Sequence, residues 1–151
     1  MVVLDAGPLS LVTHPRGGPD ARAAKGWLGG LLGAGATVLV PEIADYEVRR
    51  ELLRAGRTKS VARLERLAEE LGYLALDTET LRHAAGLWAH ARNTGRPTAS
   101  DAALDADVIL AAQARMLIGR GEADDVVVAT TNVGHLARFV AAEVWPGTGA
   151  P

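Results

Sequence analysis

The chain has 151 residues, a formal net charge of −2 and no cysteine. That length suits one domain around a single sizeable core, and the missing thiols exclude disulfide staples and thiolate metal sites. Hydrophobic residues make up 48% and charged residues 23%, the balance of a soluble globular protein, and no apolar run approaches the roughly 20 residues a membrane span needs.

In chain order, Met1-Val-Val-Leu4 runs into a single acid, Asp5, and then into Gly7 and Pro8. A short apolar run closed by a Gly-Pro breaker predicts a buried strand, with a turn or two of helix at Leu9 to Val12. Met1 leads straight into that strand, which leaves no room for a signal peptide and fits a cytoplasmic protein. His14 to Pro19 must be a loop, since it holds Pro15, Gly17, Gly18 and Pro19. Asp20 to Leu32 reads as a helix that frays at Gly33 and Gly35, and Thr37 to Val40 is a second strand, apolar on both faces. Strands buried on both sides belong to parallel sheets.

Pro41 is placed to open a helix that stops at Gly56, and a second helix spans about Ser60 to Leu71 with Val61, Leu64, Leu67 and Leu71 on one side. Tyr73 to Leu76 is a short third strand, and Thr78 suits the N-cap of a helix reaching about Arg92. Asn93 to Pro97 is a loop. Ser100 or Asp101 caps the most apolar helix, Ala102 to Ile118, ended by Gly119 and expected to lie buried between other elements. Val126 to Ala129 is a fourth strand, Thr130 to Asn132 turn out of it, and a short helix carries His135 and Leu136. Phe139 to Trp145 is a candidate edge strand. Residues 1–146 read as one domain, with 147–151 as a tail.

Strands alternating with helices predict an α/β protein, a three-layer α/β/α sandwich with a mostly parallel sheet of four to five strands. Right-handed crossovers put the ends of the first and fourth strands together at one crevice, where ligands of such folds bind. Asp5 then stands on the rim of the sheet, although an Asp there also suits a helix cap.

Two more acids are out of place for a plain structural reading. Glu47 lies mid-helix between Ile43 and Val48, with a salt bridge to Arg50 as the alternative; Asp107 lies on the helix that is apolar all round, with no basic residue within one turn. If Asp5, Glu47 and Asp107 converge, each pair at ~5 Å repels by ~3 kcal/mol at an effective dielectric of ~20, so the cluster takes up protons or binds a cation. Carboxylates with no Cys and no clustered His select a hard ion, Mg²⁺ or Mn²⁺. Hydrolysis of a phosphodiester is the chemistry that follows most directly. The charge pattern agrees: Arg49, Arg50, Arg54, Arg57, Lys59, Arg63 and Arg66 form a basic flank, against acids at Asp101, Asp105, Asp107, Glu122, Asp124 and Asp125. Two solvated helical faces of opposite sign would give the same pattern.

Four blocks, in order, resemble the PIN domain family and in particular the VapC-type toxins of bacterial toxin–antitoxin pairs. They are Val3-Leu-Asp-Ala-Gly-Pro-Leu9, Asp45-Tyr-Glu-Val-Arg-Arg-Glu-Leu52, Ala106-Asp-Val-Ile-Leu-Ala-Ala-Gln-Ala114 and Val128-Ala-Thr-Thr-Asn-Val-Gly-His-Leu136. The resemblance implies a Mg²⁺-dependent endoribonuclease acting on RNA, often a homodimer, neutralised by a small antitoxin whose tail covers the active site. It makes Asp5, Glu47 and Asp107 the metal-site acids, and Thr130 or Thr131 with Asn132 the turn that supports them. Many relatives carry a fourth acid where this chain has Asn132 or His135. Asn132 brings no charge, so the site has three firm acids, or four if Asp105 turns inward. Arg49, Arg50 and Arg54 are candidates for contact with RNA phosphates.

Rival folds with strand-end acids fail on inventory. A response-regulator receiver needs an acid pair after the first strand and a Lys after the fifth, yet Asp5 is alone and the lysines are Lys25 and Lys59. A haloacid-dehalogenase-like phosphatase needs a second Asp where Gly7 stands. The remaining alternative is a PIN-like module that binds RNA or protein with weak or no cleavage.

Overall fold

Strand β1 (Val2–Leu4) is the centre of the molecule, because both of its faces are covered. Leu4 packs with one apolar cluster and Val3 with another, and each is 0% exposed. The computed structural model describes residues 1–15, 17–94 and 101–145, the side chains of 101–104 excepted. The loop expected at 95–97, the cap at Ser100, the side chain of Asp101 and the tail at 147–151 lie outside the described residues.

The elements follow as α1 (Ala6–Thr13), α2 (Pro19–Gly33), β2 (Val38–Pro41), α3 (Glu42–Arg54), α4 (Thr58–Leu71), β3 (Tyr73–Leu74), α5 (Thr78–Asn93), α6 (Asp101–Gly119), β4 (Val127–Thr130), α7 (Val133–Leu136) and β5 (Ala142–Val144). Among the described residues, five strands form one sheet in the order β3-β2-β1-β4-β5, all parallel. The order reverses at β1, whose neighbours are β2 on one side and β4 on the other. A crevice opens at such a switch point, beyond the carboxyl ends of the two strands.

Helices cover both faces. Leu9 and Val12 of α1, Leu28 of α2, Val48 of α3, and Leu64 and Leu67 of α4 pack on Leu4, Val38 and Val40. On the other face Leu110, Ala111, Ala114 and Leu117 of α6 pack on Val3 and Val128, while Val108 and Ala112 turn to Ala84 and Ala91 of α5. Helix α6 is thus sandwiched between sheet and α5, which is why it is apolar nearly all round. Each fully buried Leu or Val stabilises the fold by roughly 1.5–3 kcal/mol. Among the described residues no helix is long and apolar enough to cross a membrane.

Several element boundaries differ from expectation for local reasons. Gly7-Pro8 does not break the chain, because Asp5 caps α1 at once and Pro8 falls in its first turn, where no N–H is needed. Pro41 closes β2 and caps α3 rather than sitting inside it. Asp77, not Thr78, caps α5, its carboxylate accepting the Thr80 N–H at 2.7 Å. Gly119 stays within α6; Gly121, at φ +70°, supplies the left-handed residue that ends it. The last strand is only Ala142–Val144, after which Trp145 is buried edge-to-face against Trp27, ring centroids 5.5 Å apart.

Candidate metal and active site at the ends of β1 and β4

Asp5 leaves β1 with two duties. Its Oδ1 accepts the Ala6 N–H at 2.6 Å, capping α1, and its Oδ2 accepts a hydrogen bond from Thr130 Oγ1 at 2.6 Å. The cap and the rim position hold together. They do so because β1 pairs in parallel with β4, Leu4 opposite Ala129, and the Asp5 N–H donates to the Ala129 carbonyl at 3.0 Å. That register sets the next residue of β4, Thr130, beside Asp5. Thr130 is fully buried, and its Oγ1 also accepts the Asn132 N–H at 2.9 Å. One hydroxyl therefore orients the carboxylate and shapes the turn into α7. Asn132 is exposed and makes no side-chain capping bond.

Glu47 sits on α3, half-buried, with Arg50 Nη2 3.6 Å from its Oε1. Burial raises its carboxyl above the ordinary value, the Asp5 carboxylate raises it further, Arg50 opposes, and Asp107 adds to the rise. Asp107 arrives on α6 from the other face of the sheet. Burial raises its carboxyl too; His135 opposes, Asp5 adds, and Arg138 opposes. Its Oδ2 is a buried oxygen without an aligned hydrogen bond; His135 Nδ1 approaches it to 3.3 Å as an ion-pair partner only. An oxygen buried in that condition is costly unless a cation or a proton joins it.

Three acids from three separated segments thus act on one another's charge at the switch point. They do not stand as a closed cage: among the described residues no three His, Cys, Asp or Glu side chains form a ready-made metal cluster. Each acid is held by its own partner instead, Asp5 by Thr130, Glu47 by Arg50 and Asp107 by His135. The donor set still fits a hard divalent ion, since all three are carboxylates and the Asp107 oxygen lacks a proper partner. Asp105 gives no fourth ligand. It is exposed and lines a groove with Leu81 and Trp88 between α5 and α6.

The arginines are more committed than their sequence pattern suggests. Arg49 grips Asp45 with Nε and Nη2, both at 3.0 Å, and reaches Glu65 of α4 at 3.0 Å with Nη1. It ties two helices together. Arg54 pairs with Glu51 at 2.8 Å, exposed at the far end of α3. Arg50, between Glu47 and the Tyr46 ring, is the one of the three that adjoins the acids.

Sequence reasoning missed three supports. By sequence His135 stands out only through the family resemblance, yet its Nδ1 lies 3.3 Å from Asp107 Oδ2. A nitrogen donor in that place among three acids was itself the available signal for a partner to one of them. Gly7 lies so close to the turn after β4 that a Cβ there would meet Thr131 Oγ1 at 2.7 Å. Gln113, 1% exposed, donates from Nε2 to the Leu74 carbonyl at 2.6 Å and accepts the Ile43 N–H at 3.5 Å. It holds α6 against the start of α3, behind the acids.

Comparison with known proteins agrees with this architecture. The model of the PIN domain family matches residues 2–145. No curated protein matches the chain. Among solved structures, a chain of VapBC2 from Rickettsia felis, crystallised bound to a DNA fragment from the VapBC2 promoter, is similar in fold. The TM-score is 0.70 and the identity 15%, covering 96% of this chain and 99% of that one.

Proposed function

The chain belongs to the PIN domain family, and from that premise we propose that it is a Mg²⁺- or Mn²⁺-dependent endoribonuclease, the toxin of a VapC-type toxin–antitoxin pair. The observation that carries the proposal is the buried Asp107 oxygen that no aligned hydrogen bond satisfies, at the ends of β1 and β4 where Asp5 and Glu47 also come in. In this reading those three acids hold the ion. Bound there, a divalent ion supplies Lewis acidity toward a phosphodiester and lowers the pKa of water.

The chain's own residues do the positioning. Thr130 fixes the orientation of Asp5 and, through the Asn132 N–H, the turn that borders the cleft. Arg50, 3.6 Å from Glu47, is the arginine of α3 placed to meet a phosphate at the acids, with Arg54 further along that helix. Arg49 stays with Asp45 and Glu65 and contributes mainly to the shape of that surface. A small antitoxin is the proposed partner, supported by the fold shared with a chain crystallised as VapBC2. A homodimer, as the family resemblance implies, in the cytoplasm, which the absence of cysteine fits, completes the reading.

The test is incubation of the protein with structured RNA in Mg²⁺, in Mn²⁺ and in EDTA. The expected outcome is cleavage that needs the metal and that Asp5→Asn or Asp107→Asn reduces at least 100-fold, beyond the 10–100-fold typical of groups that only support a metal ligand. Equal cleavage by the variants would point to a contaminant and sink the proposal. A second reading has one observation in its favour: His135 Nδ1 stands 3.3 Å from Asp107, in the turn where the family resemblance leads one to expect an acid. RNA binding without cleavage in either metal would favour that reading, a PIN-like binding module.

A further inference from the structure

A cavity of about 330 Å³ opens between the end of α5 and the turn that follows α7, lined by His90, Ala91, Thr94, Arg138 and Phe139. A short path of contacts joins it to the acids. Asp107 Oδ2 lies 3.3 Å from His135 Nδ1, and the His135 carbonyl accepts a hydrogen bond from Arg138 Nε at 3.1 Å. Helix α7 is a single turn, and the Phe139 N–H returns to the Leu136 carbonyl at 2.8 Å, so the backbone fixes His135, Arg138 and Phe139 relative to one another.

The walls of the cavity combine two chemistries. Phe139 packs into the apolar layers around α6 and α5, which anchors its ring. The exposed Arg138 is held over that ring, its guanidinium carbon 4.7 Å from the centroid. Across the cavity α5 ends at Thr94, whose Oγ1 donates to the His90 carbonyl at 3.0 Å. A guanidinium backed by an aromatic ring meets both halves of a nucleotide, charge for the phosphate and a flat surface for the base. The volume falls at the small end of ligand pockets, which run from roughly 300 to 1,000 Å³. The charges are placed to match. Arg50 opposes the raised carboxyl of Glu47 and Arg138 that of Asp107, so a guanidinium stands near each of these acids.

We propose that this cavity is a nucleotide subsite, which takes the base and sugar of one RNA nucleotide while Arg138 contacts its phosphate at the edge of the acid site. That the nucleotide belongs to an RNA substrate rests on the nuclease reading; the affinity of the cavity for a nucleoside monophosphate does not.

The test is NMR of the full chain in EDTA, titrated with each of the four nucleoside 5′-monophosphates and with inorganic phosphate, followed by RNA cleavage kinetics in Mg²⁺ and Mn²⁺. The Phe139 ring and His90 imidazole signals should shift saturably with at least one monophosphate. Inorganic phosphate should bind about tenfold more weakly, the scale of one base stack. Arg138→Gln should weaken the monophosphate by about tenfold, the scale of one charge-assisted hydrogen bond. It should raise KM for RNA by a similar factor with kcat within about twofold. For RNA binding in EDTA it should lower the slope of log affinity against log salt by about 0.7, which a merely structural role would not move. Arg138→Lys, which keeps the charge but not the planar fork, should restore the slope and only part of the affinity. Monophosphate binding with no RNA cut in either metal would leave the subsite standing and remove the nuclease reading. RNA cleavage with an unchanged KM and salt slope in Arg138→Gln would leave the nuclease reading and overturn the subsite. No saturable shift from any monophosphate, or phosphate binding as tightly as the monophosphates, would overturn it as well.

Discussion

At the scale of the residue, Thr130 carries more than its size suggests. It donates to Asp5 and accepts from Asn132, so Thr130→Val removes two hydrogen bonds from a fully buried position. The expected loss is about 1–3 kcal/mol in denaturant unfolding and about 10–100-fold in RNA cleavage, with Thr130→Ser restoring most of both. Cleavage unchanged in Thr130→Val would mean Asp5 needs no orienting partner. The raised carboxyls make a second prediction. Glu47 and Asp107 lie above their ordinary 4.5 and 3.8, each chiefly through burial, so the folded chain keeps protons that the unfolded chain has released. Metal-free stability contributed by these groups therefore falls as pH rises from the ordinary carboxylate range through the raised values. Melting curves in EDTA should show Asp107→Asn gaining on the parent over that rise. A parent that gains on the variant would reverse the sign and refute the burial argument.

At the scale of the element, helix ends decide more than helix middles. Gly56 at φ +64° lets α3 turn into α4, and Gly56→Ala should destabilise by roughly 1 kcal/mol, read as a lower denaturant midpoint with unchanged slope. At the start of α5, hydrogen bonds from Thr80 and then the Arg120 guanidinium hold the Asp77 carboxyl down at about 2. A carboxyl lowered in this way stabilises above its unfolded pKa and loses that contribution only as pH falls through about 2. The ends of α3 also separate two kinds of arginine that the sequence lists in one run. Those at 49, 50 and 54 have acids one turn away on the same helix, whereas Arg57 and Lys59 flank the bare start of the next.

At the scale of the whole molecule, the proposed ion site implies that folding and ion binding are coupled, because the fold brings together three acids that the unfolded chain keeps apart. Mg²⁺ should raise the melting temperature. At a hundredfold excess over its dissociation constant the gain is about 2.7 kcal/mol, and Asp5→Asn should abolish it. Calorimetry with and without EDTA reads this independently of any RNA, and an equal gain in the variant would place the ion elsewhere.

Much of this architecture was legible in one dimension. The alternation of apolar strands and amphipathic helices, the double-sided burial of β1 and the misfit of Asp107 on an apolar helix all follow from local periodicity and the cost of burying charge. Helix starts were less legible, since Gly7-Pro8 serves a first turn as readily as it breaks a chain. The expected meeting of the first and fourth strand ends is realised as parallel β1–β4 pairing, but tertiary structure alone decided the register, and so that Thr130 rather than Thr131 meets Asp5 across 125 positions. It also decided which cations are neutralised and that His135 faces Asp107. The reason is physical: periodicity and burial act between neighbours in sequence, whereas a hydrogen bond or an ion pair between segments depends on strand register and side-chain direction, which exist only once the layers have packed.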